Sequence, residues 1–347
     1  MPPELPPRTL ALRLDREALI HNWRALDAMS GQASAGAAVK ADAYGLGVKQ
    51  VMPALVEAGA RDFFVAHWSE VPGLLPFAAP ESIAVLHGPV TAYEAAYARA
   101  AGVRPVIDSV AQARAWSEAG GGRCHLMVDT GINRLGISLP ELSDPAVQAL
   151  DVDILMSHLA CADEDSAHNA RQLSAFREAV NTRAADRTSF ANSAGIAHGP
   201  DYAFDLTRPG LSLYGGIPRP ELAGTIRQVA HPQAMVLQVR EIKAGDTVGY
   251  NATFAAQHDM RIATVSIGYA DGYMRCRGGG YLFHEGRELP VLGRVSMDMT
   301  VVDIAAAPDL APGDFVDIPF DLPAEAQRTG LSQYELLTTL GSRFRRH

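Results

Sequence analysis

Lys40 closes the short apolar run Ala37–Val39 and is followed by Tyr44, Gly45 and Gly47 in the stretch AAVKADAYGLG. Lysine is seldom placed inside a protein without a partner; at a strand end its stem can instead stay buried while the amine reaches water. Farther along, Arg134 follows DTG, His158 lies in VDILMSHLA, Asn192 and Ser193 stand in ANSAG, and Arg208 and Gly210 open RPGLSLYG. Ser193, Gly210 and the Leu211 amide are the hydroxyl and N–H donors that loops between strands and helices use to hold a phosphate. An amine opposite such a cradle suits a Schiff base to pyridoxal 5'-phosphate, with Arg208 as the candidate partner of the ring nitrogen. Each residue also has a plainer use. His158 fits equally a hydrogen-bonded core histidine, the arginines fit surface ion pairs, and ANSAG fits a turn.

These side chains meet only if the fold brings several strand ends to one face. From about Ala37 to Gly216, eight β-type runs alternate with helical patterns: AAVK, DFFVAHW, SIAVLHG, VRPVID, RCHLMVDT, VDILMSHLA, TSFANS and DLTRPGLSLYG. TAYEAAYARA and SAHNARQLSAFREAV read as helices, the second capped by Ser166. The number and length of these units fit a (β/α)8 TIM-type barrel, whose active face lies at the C-terminal strand ends; periodicity alone also fits a doubly wound sheet. After Gly216 the helices give way to β-type runs, AMVLQVREIK, RIATVSIGYA, LPVLGRVSM and MTVVDIA, with turn phrases KAGDTVGY and APGDFVDI. The expected organisation is therefore an N-terminal strand within residues 1–14 that joins the second domain, a barrel over 15–225, and a mainly-β C-terminal domain over 226–347.

The chain has 347 residues, 48% hydrophobic and 20% charged, enough for a large core. A formal charge of −9 with no basic cluster speaks against a nucleic-acid surface. No membrane span and no secretory leader are expected, which makes a cytoplasmic enzyme the default. Cys124, Cys161 and Cys276 are odd in number and far apart, as reduced structural thiols are. His158, Asp163, Glu164 and His168 could mimic a metal site, but the carboxylates read as a solvated helix start, and no metal is expected.

The motifs AVKADAYGLG, DTGINRLGI, SHLACADE, ANSAG, RPGLSLYG, VGYNATF, IGYADGY and GRVSMDMT resemble, in order and approximate spacing, those of bacterial alanine racemases. The resemblance implies a pyridoxal-phosphate enzyme that interconverts L- and D-alanine and supplies D-alanine for peptidoglycan. It also implies a head-to-tail homodimer in which each β domain completes the partner's site. Lys40 and Tyr250, the latter from the other subunit, would act as the two acid/base groups. Tyr44, Ser193, Gly210 and Leu211 would surround the phosphate, Arg208 would meet the ring nitrogen, His158 would support the catalytic tyrosine, and His158 and Asn192 would belong to the cofactor site. Arg134 would meet the substrate carboxylate, and Tyr269, Met297 and Asp298 would line the entrance. Many relatives carry a carbamylated lysine two residues before the Asp of DTG; here that residue is Met127, so Arg134 needs another brace.

Racemisation needs an acid/base group on each face of the substrate, and an amine and a phenol serve only if their pKa values are lowered toward neutrality. An arginine at the ring nitrogen cannot take up a proton, which suits proton exchange over decarboxylation. The alternatives are a broader racemase that also takes serine and a barrel-type decarboxylase, which would carry an acidic residue in place of Arg208.

Overall fold

The computed structural model describes residues 6–346; the first five residues of the segment 1–14 and His347 lie outside the described residues. The chain forms two compact units, Arg16–Arg227 and a second that joins the chain up to Asp15 with Gln228 onward.

In the first unit, parallel strands follow one another around a sheet in chain order: Ala37–Ala38, Phe63–Val65, Ile83–Val85, Arg104–Ile107, Arg123–Met127, Asp151–Met156, Arg187–Ser189 and Leu206–Thr207. Their residues are almost continuously buried, as strands covered on both faces must be. A two-residue strand, Ser34–Ala35, pairs with Leu206–Thr207, and after Gly36 the chain pairs with Phe63–Val65 instead. Gly36 and Ala38 donate to Thr207 and Pro209 at 2.9 Å, whereas Ala37 and Val39 donate to Asp62 and Phe64 at 2.8 and 2.9 Å. Successive N–H groups thus serve opposite neighbours, and the sheet closes into a barrel. A Cβ on Gly36 would lie 2.9 Å from the Asp62 carbonyl, so the seam admits only glycine.

The helices between strands start where the sequence offers caps: Thr91 before Ala92–Ala101 and Ser166 before Ala167–Thr182 each accept a first-turn N–H. At the N-terminal end of the barrel, Arg187 reaches Asp62 at 2.9 and 3.0 Å and Asp153 at 3.2 Å. The strands of Arg187 and Asp62 are not neighbours, so this ion pair spans the interior. Polar side chains therefore occupy one end, and the chemistry-bearing residues stand at the other.

The second unit is built on the strand Ala230–Ile242, which pairs with Leu10–Leu14, Phe315–Asp317 and Met260–Val265. Ile242, Val248, Ala256, Ile262 and Leu292 form a buried cluster within it. Both Gly-Asp phrases are turns of one kind: Asp246 donates to the Lys243 carbonyl and Asp314 to that of Ala311, at 3.0 and 3.2 Å. Gly245 and Gly313 take φ values of 92° and 99° there, which side chains disfavour. Two helices absent from the strand pattern, Leu322–Thr329 and Gln333–Thr338, follow under the caps Asp321 and Ser332. At eight and six residues they are too short to stand out by periodicity.

Candidate active site

Lys40 follows the strand Ala37–Ala38 and is half-buried. Burial lowers its pKa, the charges of Arg134 and Arg208 lower it further, and Glu70 opposes them. After it, Ala41, Asp42, Ala43 and Tyr44 all take positive φ, 52° to 55°. A left-handed stretch costs about 1–2 kcal/mol per non-glycine residue, so its neighbours must hold it. Gly45 donates to the Ala41 carbonyl and Gly47 to that of Asp42, both at 2.8 Å, and Asp42 Oδ1 accepts the Val48 N–H at 2.7 Å. Glu70 accepts the N–H of Ala41 as well as those of Ala66 and His67.

Two loops meet opposite the lysine. The Asn192 side chain accepts the Gly195 N–H at 2.8 Å and so shapes the turn that carries Ser193. Ser193 Oγ accepts the N–H groups of Gly210 at 3.0 Å and Ser212 at 3.2 Å. Leu211 lies between those two donors, buried. A Cβ on Gly210 would stand 2.2 Å from the Tyr44 hydroxyl, so the backbone approaches that hydroxyl only because residue 210 is glycine. The Ser212 hydroxyl is buried and has no hydrogen-bond partner among the described residues.

Arg208 is buried and donates to the Ser189 hydroxyl and the Ser157 carbonyl, with its guanidinium carbon 6.0 Å from the Phe64 ring. Burial pushes its pKa down to about 10, and no carboxylate pairs with it among the described residues. A buried cation that spends its N–H groups on neutral oxygens is costly unless another group shares the site. His158 is pushed down to about 3, by burial first and then by Arg208, Arg134 and Lys40, so its ring is neutral at pH 7.

Asp129 builds the loop that carries Arg134. Its carboxylate accepts the N–H groups of Gly131, Ile132, Asn133 and Arg134 at 2.8 to 3.2 Å. The Arg134 side chain is exposed and has no hydrogen-bond or ion-pair partner among the described residues; Met127 is buried on the strand before the loop. His168, read as a possible metal ligand, instead bonds the Gly131 carbonyl at 3.1 Å, and Asp163 and Glu164 are exposed.

The remaining predicted residues lie in the second unit. Tyr269 and Ala270 donate to the carbonyls of Ser296 and Met297 at 3.1 and 3.0 Å, which joins IGYADGY to GRVSMDMT. Arg343 clamps the pair: it holds Asp271 at 2.6 and 2.9 Å and Asp298 at 2.7 Å. Tyr250 stands on a separate turn, 64% exposed, beside Gly249, Asn251 and Ala252 with φ of 77°, 62° and 49°. Sequence reasoning gave no role to Glu70, Ser157, Ser189 or Arg343. Glu70 reads as an ordinary helix-start acid, only the folded chain brings Ser157 and Ser189 to Arg208, and Arg343 meets Asp271 and Asp298 only within the folded second unit.

These residues fit a phosphorylated pyridine cofactor on three counts: a Ser212 hydroxyl unpartnered and a buried guanidinium without a counter-ion among the described residues, and a glycine cradle under Tyr44. The sequence matches the alanine racemase N-terminal domain over residues 14–218 and the alanine racemase C-terminal domain over 229–347. It is 40% identical to a biosynthetic alanine racemase of Agrobacterium fabrum, covering 97% of this chain and 93% of that one. It is 41% identical to an alanine racemase of Rhizobium meliloti, over 99% and 98% of the two chains. The fold matches a crystal structure of alanine racemase from Bartonella henselae with covalently bound pyridoxal phosphate, at a TM-score of 0.88 and 35% identity over 98% of this chain and 99% of that one.

Proposed function

The chain belongs to the alanine racemase family of pyridoxal-phosphate-dependent isomerases and interconverts L- and D-alanine; we propose that it does so with two proton carriers, Lys40 and a Tyr250 from a second copy of the chain. Ser193, Gly210, Leu211 and Tyr44 would hold the cofactor phosphate, Arg208 its ring nitrogen, and Asn192 and His158 the surrounding frame. When bound, pyridoxal phosphate would supply an electron sink that makes the substrate α-proton acidic.

Lys40 takes or returns that proton at Nζ on one face. Its lowered pKa leaves more neutral amine to act as base near pH 7. A single carrier would return the proton to the face it came from, so inversion needs a second on the opposite face. Tyr250 suits that part because its turn leaves it 64% exposed. Arg208 donates hydrogen bonds but accepts none, so it holds an acceptor nitrogen without protonating it. Arg134, whose side chain is unpaired among the described residues, orients the substrate carboxylate. Tyr269, Met297 and Asp298 narrow the entrance from the second subunit.

This reading takes the assembly as a head-to-tail homodimer in the cytoplasm that makes D-alanine for peptidoglycan. No helix among the described residues is long and apolar enough to cross a membrane. The observation that carries the reading is the buried Arg208, with no carboxylate, in the same barrel end as Lys40. Circular dichroism of L-alanine incubated with cofactor-loaded protein tests it: the signal decays to zero as the enantiomers equalise, and an unchanged signal from fully loaded protein overturns it.

A further inference from the structure

We propose that Glu70 is a positioning residue for Lys40 and Tyr44, acting through the left-handed turn that separates them; the inference rests on the reading of Lys40 as a proton carrier. Four consecutive non-glycine residues, Ala41 to Tyr44, hold φ between 52° and 55°. L-residues enter this region singly, so a run of four persists only where the surroundings over-determine it. Most of the bonds that hold it are local: Ala43 donates to Val39, Gly45 to Ala41, Gly47 to Asp42, and Val48 to the Asp42 carboxylate. These fix the shape of the turn but not its direction.

Direction is set by a contact that crosses to the next strand. One Glu70 oxygen accepts the Ala41 N–H, the amide directly after Lys40. Its other oxygen accepts the N–H groups of Ala66 at 2.8 Å and His67 at 2.9 Å, where the chain leaves the strand Phe63–Val65. That strand pairs with Ala37–Ala38, so the carboxylate bridges two adjacent strand ends with Lys40 at the junction. Four residues on, the same turn delivers the Tyr44 hydroxyl against Gly210. A single carboxylate thereby aims both the amine and the phosphate-side phenol.

The clamp also places a negative charge near the amine. The charged and titratable groups facing Lys40 are Arg134, Arg208 and Glu70, with His87 and His158 in range, and Glu70 is the one that favours the protonated amine. A carboxylate that merely capped the short helical turn Trp68–Glu70 would touch neither the Ala41 amide nor the titration of Lys40.

Full-length Glu70→Gln and Glu70→Ala chains, each with and without pyridoxal phosphate, test the proposal. The Gln variant keeps the size of the side chain, so it serves if Ala fails to fold. In the Gln variant, amide hydrogen exchange across Ala41–Tyr44 should rise at least about fivefold even without cofactor. With the cofactor loaded, kcat should fall about tenfold while KM for alanine stays within about twofold. The acid limb of the kcat profile should move to lower pH by about half a unit, because the charge that favoured the protonated amine is gone. Faster exchange confined to residues 67–74, with kcat and the acid limb unmoved, would overturn the proposal. Wild-type protein that fails to racemise alanine would overturn the functional reading instead, and the exchange measurement without cofactor would still decide whether Glu70 holds the turn.

Discussion

The Tyr44 hydroxyl occupies the space where a Cβ on Gly210 would lie, 2.2 Å away, so the phenol and the backbone of the eighth strand's loop are fitted to each other. Gly210→Ala should therefore displace Tyr44 rather than simply stiffen the loop. Pyridoxal phosphate affinity, read by absorbance titration, is expected to fall at least about tenfold, about 1.4 kcal/mol. Because Gly210→Ala and Tyr44→Phe act through the same hydroxyl, the double variant should lose less affinity than the two single variants summed; losses that simply add would show that the clash is not the cause.

Tyr250→Phe separates proton transfer from cofactor binding. The turn that carries Tyr250 lies in the second unit, and the residue takes no part in the hydrogen bonds around Ser193 or Arg208. The variant should load pyridoxal phosphate with an unchanged visible spectrum and lose racemisation by about 10²–10⁴-fold, the usual worth of a positioned acid or base. Exchange of the α-proton with deuterated solvent should be suppressed from one enantiomer much more than from the other. Equal suppression from both, with cofactor loading lost in parallel, would remove Tyr250 from the chemistry.

The barrel was legible because a parallel sheet buries both faces of each strand and leaves near-continuous apolar runs between capped helices. Its closure was not, because Gly36 divides the first strand between two partners and nothing in GQASAGAAVK marks that. Lys40 and His158 could be placed at strand ends because each closes a largely apolar run, and Arg208 because it stands in the last β-type run, DLTRPGLSLYG. Carboxylates were harder. Glu70 ends a short helical turn and Asp129 opens a loop, both places where acids are common, and their function as acceptors for three and four backbone N–H groups exists only after folding. Arg343 reaches Asp271 and Asp298 across 72 and 45 residues, a separation that local pattern cannot bridge.

Acid should loosen the barrel through His125. Burial pushes its pKa down to about 3, and its Nδ1 has no hydrogen-bond partner among the described residues. A histidine depressed in the folded state contributes stability that is fully present above the unfolded value of 6.5 and is lost as pH falls toward 3, because the unfolded chain takes up the proton first. His125→Gln, neutral at every pH, should therefore flatten the fall in urea midpoint between about pH 6.5 and pH 4, by roughly 1–3 kcal/mol in unfolding free energy. Parallel pH profiles for the two proteins would assign the acid sensitivity elsewhere.

Asp108 should act with the opposite sign. It follows the strand Arg104–Ile107 at the end of the barrel where Lys40 stands, is 5% exposed, and leaves both carboxyl oxygens without a partner among the described residues. Its backbone N–H is satisfied by Gln112 at 2.7 Å, so the deficit belongs to the side chain alone. Burial raises its pKa from 3.8 to about 7. A carboxyl raised in the folded state favours folding fully below 3.8 and loses that contribution as pH rises through 7, because the unfolded chain sheds the proton first. Asp108→Asn keeps the shape and removes the ionisation, so at pH 8 the variant should be more stable than the wild type by about 1–3 kcal/mol in urea unfolding of the cofactor-free chain. Near pH 4 the two should differ by less than about 0.5 kcal/mol, since the wild-type side chain is then neutral in the folded state as well. An advantage equal at both pH values would mean that packing and not buried charge sets the difference. That pH-dependent gain would mean that the chain gives up stability for an ionisable group at the site end of its barrel, as active sites commonly do.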